Sequence, residues 1–235
     1  MSLLRSFSDG VTLLIGRLRQ DRRVSIPRTL QKQVKVNIGC GLAIAPGWIN
    51  IDGSLNALIA PLPDICHAIA YRLTGANRYY SKKEYCDLLQ NNYFIHHNLS
   101  HSIPLPDKSV DFIFTSHFLE HLYLSDAKNL LDECFRVLKI GGVIRISVPD
   151  LEYAVSLYGI GKKKEMLQQY FFVEDDDSYY ARHKYMYDFE ILKDKLESAN
   201  FQNILRQTFQ AGLTPDINIL DNRPEESLYI EALKC

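Results

Sequence analysis

No two of the five cysteines are spaced as CxxC, and their number is odd: Cys40, Cys66, Cys86, Cys134 and Cys235 are scattered through 235 residues. That excludes a zinc ribbon and argues against a disulfide framework, which places the chain in a reducing, cytoplasmic setting. No apolar run approaches the roughly 18 residues that span a bilayer. The opening MSLLRSFSDGVTLLIGRLRQ lacks the basic, apolar, small order of a cleaved signal, because most of its arginines follow the apolar part. Excess charge of one sign is missing too: 27 Lys and Arg meet 28 Asp and Glu, for a net charge of −1, so nothing demands a nucleic-acid partner. With 46% hydrophobic and 23% charged residues, the composition excludes disorder and low-complexity fibres. It suits one domain of ordinary size, or one domain plus an appendage.

What charge there is lies unevenly. Residues 1–33 carry Arg5, Arg17, Arg19, Arg22, Arg23, Arg28 and Lys32 against Asp9 and Asp21, a local +5 that leaves −6 on the remainder. Val11, Leu14, Ile15 and Leu18 recur there at helical spacing. This basic helical extension either lies on an anionic membrane surface or docks on its own domain with a solvated basic face. The second is the more usual behaviour of charge runs. Pro27 breaks the pattern, and the boundary falls near residue 33, leaving 34–235 as the main domain.

From residue 34 the periodicity is strand-like. VKVNIG (34–39), WINID (48–52), YFIHHNL (93–99), VDFIFTS (110–116) and GVIRISVPD (142–150) read as five strands. SDAKNLLDECFRVLKIGG reads as a helix with Ser125 as cap, Leu130, Leu131, Cys134, Phe135 and Leu138 as its apolar stripe, and Gly141-Gly142 as its stop. A further amphipathic helix, MYDFEILKDKLESANF, turns Phe189, Leu192 and Leu196 inward, before strands FQNILRQTF and SLYIEALKC. Strands alternating with helices specify an open, mainly parallel α/β sheet with helices on both faces.

Ligands in such sheets bind beyond the carboxyl ends of the strands. The strand-end residues are Gly39-Cys40-Gly41, Asp52, Ser116 with His117, and Pro149-Asp150. A dinucleotide site is disfavoured. Position 44, where a third glycine belongs, is Ile44, and Asp52 follows Gly39 by 13 residues rather than the roughly 20 of that fingerprint. Pro46 and Gly47 also fall where a phosphate-binding helix should run.

VNIGCG, GWINID, IPLPDKSVDFIFTSHFLEHL and ECFRVLKIGGVIRISVPDLE together resemble class I S-adenosylmethionine-dependent methyltransferases, most closely the bacterial branch associated with surface polysaccharides and secondary metabolites. The resemblance covers about residues 34–150. It implies a seven-stranded sheet in the order 3-2-1-4-5-7-6, the last strand antiparallel. It implies S-adenosyl-L-methionine as cofactor, with Gly39, Cys40 and Gly41 along its methionine and ribose part. Asp52 would hold the ribose hydroxyls, Asn98 would stand where the family has an adenine-contacting acid, and Ser116 with His117 would flank the sulfonium. An asparagine can still hydrogen-bond an amino group through its carbonyl oxygen. The segment 53–92 is a long helical insertion, and LNALIAPLPDICHAIAYRL within it reads as an inserted apolar helix that is either a lid over the substrate or core packing.

The cofactor carries the difficult chemistry, so the protein must align an acceptor and keep it nucleophilic. His117, and after it His183 in RHKYMYD, are the expected catalytic histidines for a hydroxyl acceptor. Glu120 and His121 either pin a short helix or touch substrate, and Asp150 is a turn former or a further candidate. His117-x-x-Glu120-His121 resembles the inverted zinc-protease string HxxEH, in the wrong fold for it. It is also similar to the ExxEH string by which ubiquinone-pathway and small-RNA 2′-O-methyltransferases hold a divalent ion, with His117 favouring a softer metal. Isolated matches of this length arise often by chance, and the expectation is a site without metal. Expected is a methyltransferase acting on a small-molecule or sugar/glycolipid hydroxyl, or an amine, with peripheral membrane contact through residues 1–33. Nucleic-acid methylation is weighed against by the acidity of the main domain. A non-catalytic cofactor-binding scaffold is the third reading.

Overall fold

The computed structural model describes residues 2–171 and 182–235, and of residues 2–9 the backbone alone. Its centre is one seven-stranded sheet in the order β3-β2-β1-β4-β5-β7-β6. The strands are β1 (Lys35–Ile38), β2 (Ile49–Asp52), β3 (Tyr93–His96), β4 (Val110–Ser116), β5 (Leu138–Pro149), β6 (Gln202–Gln207) and β7 (Ser227–Leu233). The first five run parallel, and β7 is antiparallel to both β5 and β6. This is the sheet order expected above.

Strand side chains alternate between faces, and each face meets a separate apolar cluster. Ile49, Ile51, Ile113, Ile144, Ile146 and Ile230 belong to the larger one. It includes Leu130, Leu131, Cys134 and Val137 of α5 (Leu124–Val137) and Leu192 and Leu196 of α8 (Phe189–Ser198). On the other face Phe94 packs with Ala57, Ile59, Ala70, Tyr85 and Leu89. These come from α2 (Leu55–Ile59), α3 (Asp64–Leu73) and α4 (Lys82–Asn91). Phe114 and Trp48 meet Leu220 of α9 (Ile217–Leu220). Two short helices, α6 (Leu151–Gly159) and α7 (Lys163–Met166), follow β5. The stretch 55–73, read as one inserted helix, is thus two, because Pro61 and Pro63 interrupt the apolar run, and a Ser81/Glu84 capping box starts the separate α4 beyond it.

Two further local readings differ. The cap position of α5 is Tyr123 and Ser125 lies inside the first turn. The helix stops at Val137 rather than at the glycine pair, and Gly141 (φ 79°) and Gly142 sit within β5. There the pairing with β4 slips between Val110 and Phe112. A Cβ on Gly142 would lie 2.9 Å from Leu138 and from the Lys139 carbonyl, so the glycines permit a bulge, not a stop.

α1 (Ser2–Leu18) lies against the domain through its small residues. Thr12 is buried, and Gly16 is so close to the end of β3 that a Cβ there would be 3.4 Å from the Asn98 Cβ. Leu14 and Leu18 are 60% and 79% exposed. The irregular segment that follows is tied down as well: Val24 donates its N–H to the Pro104 carbonyl, and Arg23 donates to the Ile103 carbonyl. Among the described residues, no helix is long and apolar enough to cross a membrane.

Candidate functional site

The strand order reverses between β1 and β4, and the segments that follow β2, β3 and β4 line a cavity of about 550 Å³, with the glycine turn after β1 reaching it through Asp52 and Phe118. That volume is in the range of small-molecule sites. Asp52, Asn98 and Gly16 line it towards β2 and β3, and Phe118, His121, Tyr123 and Lys184 line it beyond β4.

Asp52 closes β2 and is nearly buried. Its two carboxylate oxygens accept the backbone N–H groups of Gly41 (2.9 Å) and Ser54 (2.7 Å). The carboxylate therefore braces the glycine turn after β1 while its remaining lone pairs face the cavity wall it forms. Gly39 (φ 64°) and Gly41 (φ 52°) take left-handed conformations that favour glycine. The Phe118 ring lies on Gly39, where a Cβ would come within 2.1 Å of it. Cys40 turns its side chain into the apolar cluster under α2–α4, and burial pushes its thiol up, so it can offer only backbone. Asn98 accepts the Ser100 N–H in a local turn (3.2 Å) and lines the cavity. The volume, the two left-handed glycines and the buried acid fit S-adenosylmethionine. Gly39, Gly41, Asp52 and Asn98 are the residues that would hold it.

The residues after β4 lie differently from a simple strand-end reading. Ser116 pairs its hydroxyl with Ser147 (2.9 Å). His117 sits at φ 49°, and its ring points away from the cavity lining, with Nε2 2.8 Å from the Ser227 hydroxyl and Nδ1 3.5 Å from Glu120 Oε1. Glu120 has no exposed surface, and neither carboxylate oxygen has a hydrogen-bond partner among the described residues. Burial works against its charge, but the His117 and His121 rings outweigh that and hold the carboxyl below the ordinary glutamate value. Burial also pushes His121 down, which favours the neutral ring, with Glu120 partly opposing. His183 reaches the same place from a distant segment, its ring 5.1 Å from that of His121. Lys184 beside it donates to the His121 carbonyl (2.6 Å), lies over the Tyr123 ring and is lowered by burial. Asp150 is the helix cap of α6, accepting the Glu152 N–H, and pairs with Arg206 at 2.6 Å, which accounts for it structurally.

Lys184, Phe118, Thr12 and Gly16 escaped the sequence reading. Thr12 and Gly16 do stand one helical turn apart, a stripe of small residues that the larger neighbouring leucines obscured. Nothing local marks Phe118 or Lys184.

Residues 52–146 match a family model described as a methyltransferase domain. A stretch of 55 residues is 46% identical to a Mycolicibacterium smegmatis protein named "Probable S-adenosylmethionine-dependent methyltransferase", covering 23% of this chain and one fifth (20%) of that protein's length. Among solved structures, a Bordetella parapertussis protein described as a possible exported protein shares 17% identity over 88% of this chain and 65% of its own, with a TM-score of 0.50. A Thermotoga maritima protein described as a methyltransferase, possible histamine N-methyltransferase, shares 18% identity over 99% and 92%, with a TM-score of 0.48. The matched stretch runs from Asp52, at the end of β2, into β5, so this part of the chain is similar to a methyltransferase domain and lies in a sheet with the strand order described above.

Proposed function

We propose that this protein transfers a methyl group from S-adenosylmethionine to a hydroxyl of a small molecule, sugar or glycolipid. The observation that carries this reading is one shared cavity with two chemically different ends, Asp52 and Asn98 at one and His121, Tyr123 and Lys184 at the other. When bound, the cofactor would supply a methyl group activated by its sulfonium sulfur for uptake by the acceptor oxygen. Gly39, the backbone of Cys40, Gly41, Asp52 and Asn98 hold the cofactor, and Ser116 steadies the end of β4. His117 acts through Glu120, since both its ring nitrogens are directed at Ser227 and Glu120. His183 completes the acceptor end. Within residues 53–92, Gly53 to Asn56 and Leu73 with Thr74 line the cavity as a lid would, while Ala57, Ile59, Ala70, Tyr85 and Leu89 pack into the core.

Calorimetry with S-adenosylhomocysteine and a transfer assay across hydroxyl and amine acceptors test this function. Absence of cofactor binding would overturn it, and binding without transfer would favour a scaffold. Peripheral contact of residues 1–33 with an anionic membrane is part of the proposal, supported by the outward Leu14 and Leu18 beside Arg17 and Arg19. Co-sedimentation with phosphatidylserine vesicles that is lost in Leu14→Ser/Leu18→Ser supports that contact, and no sedimentation at low salt removes it.

A further inference from the structure

Beyond β4, the described residues place four donor-bearing side chains around one buried point. Glu120 is fully buried, and its two carboxylate oxygens lack hydrogen-bond partners among the described residues. A buried carboxylate without partners costs several kcal/mol and needs a compensating charge or donor. His117 Nδ1 faces it at 3.5 Å, but the other two neighbouring imidazoles, His121 and His183, are turned the wrong way to be such donors. His121 Nδ1 lies 3.2 Å from the Arg182 carbonyl, and His183 Nδ1 lies 2.7 Å from the Tyr170 carbonyl. A carbonyl oxygen can only accept, so in each ring Nδ1 carries the proton and the neutral ring leaves Nε2 as a lone pair. His121 Nε2 is 3.9 Å from Glu120 Oε1. Two acceptor nitrogens and a carboxylate thus share one neighbourhood, and one ligand atom from each of Glu120, His121 and His183 lies within 4.8 Å of the other two.

We propose that Glu120, His121 and His183 form a binding site for one divalent transition-metal ion of the zinc class. Two imidazoles and one carboxylate are a donor set suited to zinc, with at least one position left open. The Nδ1–H bonds to Arg182 and Tyr170 are the outer contacts that fix ring orientation at such sites. His117, 3.5 Å from the same carboxylate oxygen and anchored on Ser227, braces Glu120. Around tetrahedral zinc with bonds near 2 Å, donors stand about 3.3 Å apart, so the three side chains draw inward as the ion enters. His121 also lines the large cavity and His183 a smaller one beside it. The open position therefore faces the acceptor end and suits an oxygen of the acceptor. The ion is held whether or not methyl transfer occurs.

The test uses the full chain, stripped by chelator and dialysed, then titrated with zinc chloride by calorimetry and with cobalt chloride by absorption spectroscopy. One equivalent of zinc, a visible cobalt spectrum of low coordination number, and a rise in melting temperature are expected. His183→Ala and Glu120→Gln should each weaken zinc about 100-fold, and His117→Ala about 10-fold, with S-adenosylhomocysteine affinity retained as evidence of folding. If Glu120→Gln fails to fold, His183→Ala, which alters a half-buried side chain, decides alone. Zinc uptake identical in the parent and in His183→Ala, or less than a tenth of an equivalent in the parent, overturns the site.

Discussion

Asp52 does two jobs with one carboxylate, and they can be separated. It fixes the turn after β1 through the Gly41 and Ser54 amides, and it forms part of the cavity wall. Asp52→Ala is expected to weaken S-adenosylhomocysteine by about 1.5–3 kcal/mol, roughly ten- to a hundredfold, in calorimetry. Unchanged affinity would remove the residue from the cofactor site. Gly39 offers a sharper test, because a methyl there both strains a left-handed backbone (φ 64°) and strikes the Phe118 ring. Gly39→Ala should lower the melting temperature by several degrees, and adding Phe118→Ala should recover part of the loss, while a purely backbone effect would leave the two additive. The identity of these residues was legible as a glycine turn and a strand-end acid. The direction of the His117 ring was not, since a φ of 49° at one residue decides it and no periodicity reports such a value.

At the scale of elements, the link between α1 and the sheet runs through a histidine. His97 donates from Nε2 to the Ser102 hydroxyl (3.0 Å), which donates to the Gln20 carbonyl. Burial, with His101, His96 and Arg23 nearby, pushes His97 from 6.5 to about 4. The unfolded chain therefore binds the extra proton first, and stability present above pH 6.5 is lost as pH falls towards 4. Urea unfolding should show a loss of about 2 kcal/mol between pH 7 and pH 5 from this residue, and His97→Gln should flatten that slope. An unaltered slope would place the effect elsewhere. The helices and strands were read from alternation and 3.6-residue periodicity, which survive because most sheet positions are buried on both faces. The glycine pair in β5 misled because Gly-Gly punctuates helices and bulges alike, and only the Val110–Phe112 slip tells them apart.

At the scale of the whole molecule, the face of the sheet opposite the larger apolar cluster is closed by apolar packing over β1 to β4 and by a buried charge network over β5 and β7. Arg145 and Glu231 are register partners on β5 and β7, and both are buried. Asp221 grips Arg145 through two bonds, of 3.1 and 2.6 Å, the Thr208 and Ala211 carbonyls take one proton each, and Glu231 takes the last at 3.4 Å. Glu231 in turn accepts the Leu213 and Thr214 amides, so the network pins the 208–221 segment onto β7. Asp221→Ala should cost about 3–5 kcal/mol in chemical unfolding, because it strands a buried guanidinium. A loss below 1 kcal/mol would mean that water reaches the site. An arginine in a strand otherwise suggests a solvent face, so nothing in VIRISV alone marked this interior.

The small-residue docking of α1 links local unfolding to ligand concentration. Helix segments with little buried apolar area exchange their amide hydrogens through local opening, well before the core does. Because Thr12, Leu13 and Gly16 form part of the cavity wall, opening α1 dismantles the ligand's surroundings. Mass action then adds about 2.7 kcal/mol of protection at a ligand concentration of 100 Kd. Exchange mass spectrometry should find the amides of α1 slowed on addition of S-adenosylhomocysteine, while those of β4 and β5, already limited by global unfolding, gain no more than the ligand's contribution to overall stability. The helix would thus serve as the reporter of occupancy for the whole domain.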